Sequence, residues 1–323
     1  MKKISLKGLS HEDWLNLRTQ GIGGSDAGAI CRVNPYKSAA DVFLDKTSQA
    51  LTNQTDSEAM RQGRDLEEYV AQRFMEATGY KVKRSGYLYQ SEKHSFMLAN
   101  IDRLIVGEKA GLECKTCSAY SGDQWSNGKI PESYQIQCQH YMAVMDWDFM
   151  YIACIILGKG FLYQRIERDE SLIRGLTAIE QDFWENHVLT GKMPEPDGSK
   201  AYDDILNRYF RTSIRNNSAI PLIGFEQDLE RRENLMELAE KIDRECAEID
   251  QRLKLYLGEH ETAANQNYRI SWTSVTTNRF DSKRFKAEQE ELYKAYTKET
   301  TSRRFCVKRI HQDVLASAAS AAA

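Results

Sequence analysis

At 323 residues the chain is long enough for one large domain with a smaller one beside it, and 41% hydrophobic with 28% charged residues is ordinary globular composition. A net charge of −3 excludes a generally basic nucleic-acid coat, so any contact with DNA has to come from local patches. No stretch approaches the apolar length of a membrane span, and the start Met-Lys-Lys-Ile-Ser-Leu-Lys-Gly lacks the apolar run of a secretory leader. The seven cysteines are odd in number and irregularly spaced, which predicts free thiols and a reducing, cytoplasmic compartment. Cys114-x-x-Cys117 has no matching second pair, so neither zinc nor an iron–sulfur cluster is expected there.

In chain order, the first informative segment is Gly21-Ile22-Gly23-Gly24-Ser25-Asp26, a glycine-rich turn before helical-looking residues 27–30. Backbone N–H groups at such a turn, with the Ser25 hydroxyl, form an anion pocket. Ser25 or Asp26 would serve equally as a plain helix cap. Arg18 lies just upstream, and a guanidinium suits bidentate phosphate contact, which favours the pocket. It is not a Walker loop, because no Gly-Lys-Ser/Thr follows. Gly63-Arg64-Asp65-Leu66-Glu67-Glu68 opens an amphipathic helix whose buried stripe is Leu66, Val70 and Phe74. Glu67 sits at the edge of that stripe, where a solvated first-turn glutamate is the plainer reading.

Residues 99–106 and 111–116 read as two short strands around a five-residue turn, hence a β-hairpin. The hairpin can bring Asp102 and Glu113 side by side, and the period of two puts Glu113 and Lys115 on one face. Paired carboxylates suit a hard cation such as Mg²⁺, and an adjacent lysine can orient or deprotonate a water. On spacing alone a solvated, salt-bridged hairpin explains the pattern as well. Beyond it, a loop over 118–133 offers Trp125 and Lys129 as DNA contacts. A helix follows in which Tyr134, Gln137, Cys138 and Tyr141 share a face, turning the Gln137 amide inward, where it needs partners. Residues 149–157 are continuously apolar, as in a strand buried on both faces. Residues 161–167 make its hairpin partner, and a helix over about 169–189 closes the domain. The class is α/β: a mixed central sheet flanked by helices.

The remainder is expected to form a connector, 192–221, around Pro194, Pro196 and Pro221, with a short helix near 202–210, and a C-terminal region, 222–323. A long polar helix over 226–257 carries Leu235, Ala239, Ile242, Cys246, Ile249, Leu253 and Tyr256 in a 4-3 alternation, a coiled-coil seam that must pack somewhere. Strands are expected at 268–276 and 303–310 with a helix from about 281, giving a small α+β extension. Lys283, Arg284, Phe285, Arg303, Arg304 and Phe305 could touch DNA or form a solvated face. The alanine- and serine-rich end is low complexity.

Taken together, the Arg18–Ser25 segment, Asn34-Pro35-Tyr36-Lys37, the Glu67 helix, the Asp102–Lys115 hairpin and the Gln137 helix resemble, in order and spacing, the YqaJ-type viral recombinase nucleases. That family belongs with lambda exonuclease in the PD-(D/E)XK superfamily. The resemblance spans about residues 10–190 and implies a PD-(D/E)XK nuclease domain over 1–191. It implies that Asp102 and Glu113 bind metal with the Cys114 carbonyl as a third ligand, and that Lys115 activates or positions the attacking water. Glu67 and Gln137 would complete and support the site, and Arg18 and Ser25 would hold the 5′ phosphate of a DNA end. It further implies an Mg²⁺-dependent exonuclease, with Mn²⁺ able to substitute, resecting double-stranded ends 5′ to 3′ for recombination in a bacterial or phage-infected cell. A ring-shaped homo-oligomer and a single-strand annealing partner follow from the same resemblance. The alternatives are an endonuclease or nickase on the same core, or a non-catalytic DNA-end binder. The strand reads Leu-Glu-Cys-Lys where the family has Glu-Leu-Lys, and Cys114 would contribute only backbone.

Overall fold

The structure is a computed structural model that describes residues 1–47, 57–210, 212–214, 219–300 and 302–309. The alanine-rich end lies outside the described residues. The chain divides into two compact units, Met1–Phe210 and Arg211–Ala323.

The first unit begins β1 (Lys2–Ser5), α1 (His11–Thr19), β2 (Ile22–Gly23), α2 (Gly24–Ile30), α3 (Ala39–Lys46) and α4 (Glu58–Thr78). Five short strands follow: β3 (Val82–Arg84), β4 (Tyr87–Gln90), β5 (Met97–Asn100), β6 (Arg103–Ile105) and β7 (Gly111–Cys117). A 3₁₀ segment (Ala119–Gly128) leads to α5 (Glu132–Met145), β8 (Phe149–Ile156), β9 (Gly160–Glu167), α6 (Glu170–Phe183) and α7 (Lys200–Tyr209). The mixed α/β class expected from the sequence is present, the boundaries of β8 and β9 fall within a residue of the periodicity reading, and α5 contains the expected face of Tyr134, Gln137, Cys138 and Tyr141.

The main sheet has the order β3-β6-β7-β8-β9. Strands β7 and β8 are its only parallel pair among the described residues, with Glu113 opposite Ile152 and Lys115 opposite Cys154. Residue parity decides what each face meets. Leu112 on β7, with Tyr151 and Ala153 on β8, packs on Val70, Ala71 and Phe74 of α4. Met150, Ile152 and Cys154 point the other way, into a cluster with Cys138, Tyr141 and Met142 of α5. That is why residues 149–156 carry an unbroken apolar run: both faces are covered. It also puts Glu113 and Lys115, which alternate with Leu112, on the α5 side.

A second sheet, β1-β4-β5-β2, leads through β5 directly to Asp102. His140 of α5 is fully buried, with Nδ1 2.7 Å from Glu180 Oε1 and Nε2 2.9 Å from the Leu98 carbonyl oxygen. One side chain therefore ties α5 to α6 and to β5. Helix α7 packs Tyr202 and Ile205 on Ala40, beside Leu44 and Met193.

The second unit holds α8 (Glu226–Leu257), the antiparallel hairpin of β10 (Thr262–Ala264) and β11 (Arg269–Ser271), α9 (Ser282–Glu288) and α10 (Glu290–Tyr296). The long helix runs as expected, but its seam is open: Leu235, Ile242, Ile249, Leu253 and Tyr256 are all exposed. Two expected strands are corrected. The first shrinks to Arg269–Ser271, and residues 303–309 are extended without ladder partners among the described residues. Alternation alone does not make a strand without a neighbour to accept its hydrogen bonds. No described helix is long and apolar enough to cross a membrane.

Candidate active site

The β6–β7 hairpin has the register Arg103 opposite Leu112 and Leu104 opposite Gly111. Asp102 immediately precedes β6, and its Oδ2 accepts the Cys114 N–H at 2.9 Å. Its carboxyl is thereby fixed beside the strand that carries Glu113 and Lys115. Glu113 Oε1 takes the Lys115 ammonium at 2.8 Å and the Gln137 side-chain N–H at 2.7 Å. The other Glu113 oxygen, Oε2, is buried and has no hydrogen-bond partner. A buried carboxylate oxygen left unpaired costs free energy, of the order of 1–3 kcal/mol or more. Such an atom beside a second carboxylate is where a hard cation would be accepted. Among the described residues, no group of three or more His, Cys, Asp and Glu side chains stands ready to hold a metal. The fit therefore rests on Asp102 and Glu113, with backbone and water completing the shell. The Cys114 side chain turns toward the α4 cluster, and burial followed by the Asp102 and Glu113 charges pushes its thiol above the usual range. With the side chain on that face, what Cys114 can offer on the Glu113 side is its carbonyl.

Helix α5 supplies the opposite wall. Gln137 Nε2 also donates to the Tyr141 hydroxyl at 3.1 Å, and Gln137 Oε1 accepts from Lys115 Nζ at 3.0 Å. Lys115 Nζ lies 4.6 Å from the centre of the Tyr134 ring, a cation–π contact. Burial alone would lower the Lys115 ammonium, but Glu113 and Asp102 outweigh it and hold it above the ordinary lysine range. Asp102 is shifted upward as well, which for a carboxyl favours the neutral form. Burial first, then the Glu113 and Glu67 charges, raise its carboxyl well above the usual range.

Glu67, on α4, is near this cluster but is paired to Arg103, whose Nη1 also donates to the Asp102 backbone oxygen at 2.7 Å. Arg103 was not anticipated from the sequence, nor were Tyr134 and Tyr141 as partners of the polar core.

A second cluster stands on the α1–α3 side. Arg18 Nη2 donates to Ser25 Oγ at 3.2 Å, and its guanidinium lies over the Trp14 ring. The N-cap of α2 is Gly23, not Ser25 or Asp26; Asp26, in the first turn, accepts the Gly23 N–H, and at 1% exposed it also gathers cations. Lys46 Nζ approaches to 2.7 Å, Lys37 Nζ to 3.0 Å and Arg18 to 3.9 Å, while the Gly23 N–H donates at 3.1 Å. Burial would raise the Asp26 carboxyl, but Lys37, Lys46 and Arg18 hold it well below the usual range. Lys37 also reaches Asp45 at 2.8 Å, so three cations face two carboxylates, a net charge of +1. The cluster adjoins the first one, because α2 lies against α5: a Cβ on Gly24 would sit 2.5 Å from the Tyr141 ring.

The two residues expected to touch DNA from the following loop separate. Trp125 is corrected: it is 3% exposed and stacks on Tyr134 at 5.6 Å, so its ring supports the wall behind Lys115 and offers no face to a ligand. An indole that large is drawn into the core when a neighbouring ring can cover it. Lys129 is exposed and lines a recess of about 460 Å³ with Gln124, Gln135, Gln164 and Arg165.

The family described as a YqaJ-like viral recombinase domain matches residues 13–148. The chain is 38% identical over 305 residues to protein YqaJ of Bacillus subtilis (strain 168), covering 94% of this chain and 95% of that protein. Among solved structures it is similar to an alkaline exonuclease from Laribacter hongkongensis, at 21% identity and a TM-score of 0.48, over 62% of this chain and 98% of that one. It is similar also to a phage-related exonuclease from Haemophilus somnus 129PT, at 16% identity and a TM-score of 0.38, over 56% of this chain and all of the other.

Proposed function

The chain belongs to the YqaJ-like viral recombinase family, and from that premise we propose that it is a divalent-metal-dependent deoxyribonuclease that resects double-stranded DNA ends, 5′ to 3′, to supply single strands for recombination. The observation that carries this reading is Glu113 Oε2, buried and without a partner, beside the Asp102 carboxyl. The Lys115 and Gln137 contacts engage only the other oxygen, Oε1, and a cation shared with Asp102 would use the free one. Phosphate binding alone would not bring two carboxylates together, since like charges in one site destabilise each other.

Asp102, Glu113 and the Cys114 carbonyl would hold Mg²⁺, or Mn²⁺ in its place. The metal, when bound, supplies a Lewis acid and lowers the pKa of water. The residues of this chain do the rest. Lys115, kept as an ammonium by Glu113 and Asp102, donates to a water or to a phosphate oxygen and offsets charge that develops there. Gln137 fixes Lys115 and Glu113 in one plane of hydrogen bonds. The Tyr134 ring, backed by Trp125, covers one side of that ammonium. Arg18 and Ser25 receive the terminal 5′ phosphate, and Lys37 and Lys46 add the positive field that a dianion needs. Ring assembly and an annealing-protein partner belong to the same reading, as does DNA contact by Lys129.

The test is cleavage of linear against covalently closed circular duplex, with Mg²⁺ and with EDTA, by wild type and Glu113→Gln. Cleavage of the linear form alone, dependent on Mg²⁺ and lost in the variant, is expected. Equal cleavage of the closed circle would make the enzyme an endonuclease. Wild-type rates from a folded Glu113→Gln chain would remove the hairpin from the chemistry.

A further inference from the structure

Arg103 is the residue directly after Asp102, and it is buried at 2% exposure. Its guanidinium meets three acceptors. Nη1 donates to the Glu67 carboxylate and, at 2.7 Å, to the backbone oxygen of Asp102; Nη2 donates to Glu68 Oε2 at 3.0 Å. Arg84 holds Glu68 at 3.1 Å as well, so Glu68 is shared between two arginines. Glu67 is a different case. It projects from α4 toward the carboxylate cluster, and its charge is felt at Asp102. Its own carboxylate is nonetheless claimed by the guanidinium fork. Asp102, Glu113 and Glu67 against Lys115 and Arg103 leave one net negative charge, three minus two.

Resting on the metal-dependent reading above, we propose that Arg103 is a positioning residue that holds Glu67 just outside direct coordination, so that Glu67 acts on the bound cation through water and not as a third carboxylate ligand. A planar five-donor fork fixes a carboxylate in a way that a point charge does not. Mg²⁺ works with one or two carboxylates and keeps several waters. A third carboxylate would bind the cation more tightly and take a position that a water or a substrate phosphate needs. Glu67 lies near enough for its charge to act on Asp102, and its side chain is 29% exposed, so release from Arg103 would leave it free to move toward the cation.

The experiment titrates the full-length chain with Tb³⁺, a hard oxygen-seeking cation, by luminescence, beside Mg²⁺-dependent cleavage of linear duplex. Arg103→Met is expected to bind Tb³⁺ about tenfold more tightly and to cut at least about tenfold more slowly. In Arg103→Met with Glu67→Gln the tightening should vanish, because the group released is gone. An affinity unchanged in Arg103→Met overturns the proposal. So does a tightening that persists in the double variant, which would mean that Arg103 acts through its charge alone. Should Arg103→Met fail to fold, Arg103→Lys keeps a buried cation that cannot bridge Glu67 and Glu68 together. The same shift, smaller, is then expected, and its absence overturns the proposal equally. Glu113→Gln separates this inference from its premise. Tb³⁺ binding indifferent to Glu113 overturns the metal site and the inference with it; binding lost in Glu113→Gln but untouched by Arg103→Met overturns the inference alone.

Discussion

Gly24 is the point of contact between the two charged clusters. A Cβ there would lie 2.5 Å from the Tyr141 ring and 3.0 Å from Gln137 Cγ, and both atoms belong to the helix that anchors Lys115 and Glu113. Gly24→Ala should cost about 1–3 kcal/mol of stability through overpacking. It should also lower turnover, because Gln137 must move to make room. Urea denaturation and single-turnover cleavage check this, and a variant with wild-type values for both would show that α2 is free to slide. Asp26 has a different role. Replacing it by Asn leaves Lys46 buried against a neutral group and releases Arg18, at a cost of about 3–5 kcal/mol. Preference for 5′-phosphorylated over 5′-hydroxyl ends should shrink in Asp26→Asn; a preference fully retained would detach this hub from end recognition. Asp102, Glu113 and Lys115 were suggested by the hairpin and its period of two and Gln137 by the inward face of its helix, but only the resemblance to the YqaJ-type nucleases joined them into one site. Arg103 and Lys46 were not legible in the sequence. Their partners lie 36 and 20 positions away, beyond what a strand or helix period can connect. Trp125 was misread because the ring that covers it, Tyr134, belongs to the next helix.

Helix α5 shows what a single element must combine. One face presents Gln137 and Tyr141 to the carboxylates, while His140 faces α6 and β5. Both His140 ring nitrogens lie within hydrogen-bond distance of an oxygen, an arrangement that an imidazolium satisfies by donating twice. Burial opposes that charge; Glu180 and the Leu98 carbonyl overcome it and raise His140 above its ordinary value of 6.5. Asp26 adds to the pull from the α2 side. Since the folded value exceeds the unfolded one, the contribution to stability is complete below about pH 6.5 and is lost as pH rises through the folded value. Melting temperature should therefore fall across that window in wild type, and the fall should be missing in His140→Gln. Identical pH profiles would mean that the pair is neutral in the fold. The α8 seam teaches the opposite lesson. Its 4-3 pattern foretold a helix over 226–257, and the helix is there, but periodicity names no partner and the apolar row stands open.

At the level of the whole molecule, the question is how much chain the chemistry needs. Every group in both clusters lies at or before Tyr141, and the sheet and helices that hold them lie in the unit Met1–Phe210. From sequence, the resemblance ended near residue 190 and a proline-bearing connector followed. The structure puts α7 in the first unit, with Tyr202 and Ile205 buried on α3 and the Tyr202 hydroxyl donating to the Pro194 carbonyl at 2.9 Å. Arg208 adds a contact to Asp41 at 3.3 Å, in the capping box that starts α3. Burying two such side chains contributes roughly 3–6 kcal/mol. Helix α3 in turn carries Lys46, the buried partner of Asp26. A chain ending at Phe210 should thus fold cooperatively and cut linear duplex with Mg²⁺ at saturating DNA, with weaker DNA affinity or altered assembly. A chain ending at Gly191 should melt earlier and lose its selectivity for phosphorylated ends before it loses cleavage, because the defect enters through α3 and not through the hairpin. Circular dichroism melts and end-selective cleavage on the two truncations decide the matter. A folded Phe210 chain inactive at saturation would show that residues beyond 210 build part of the active site.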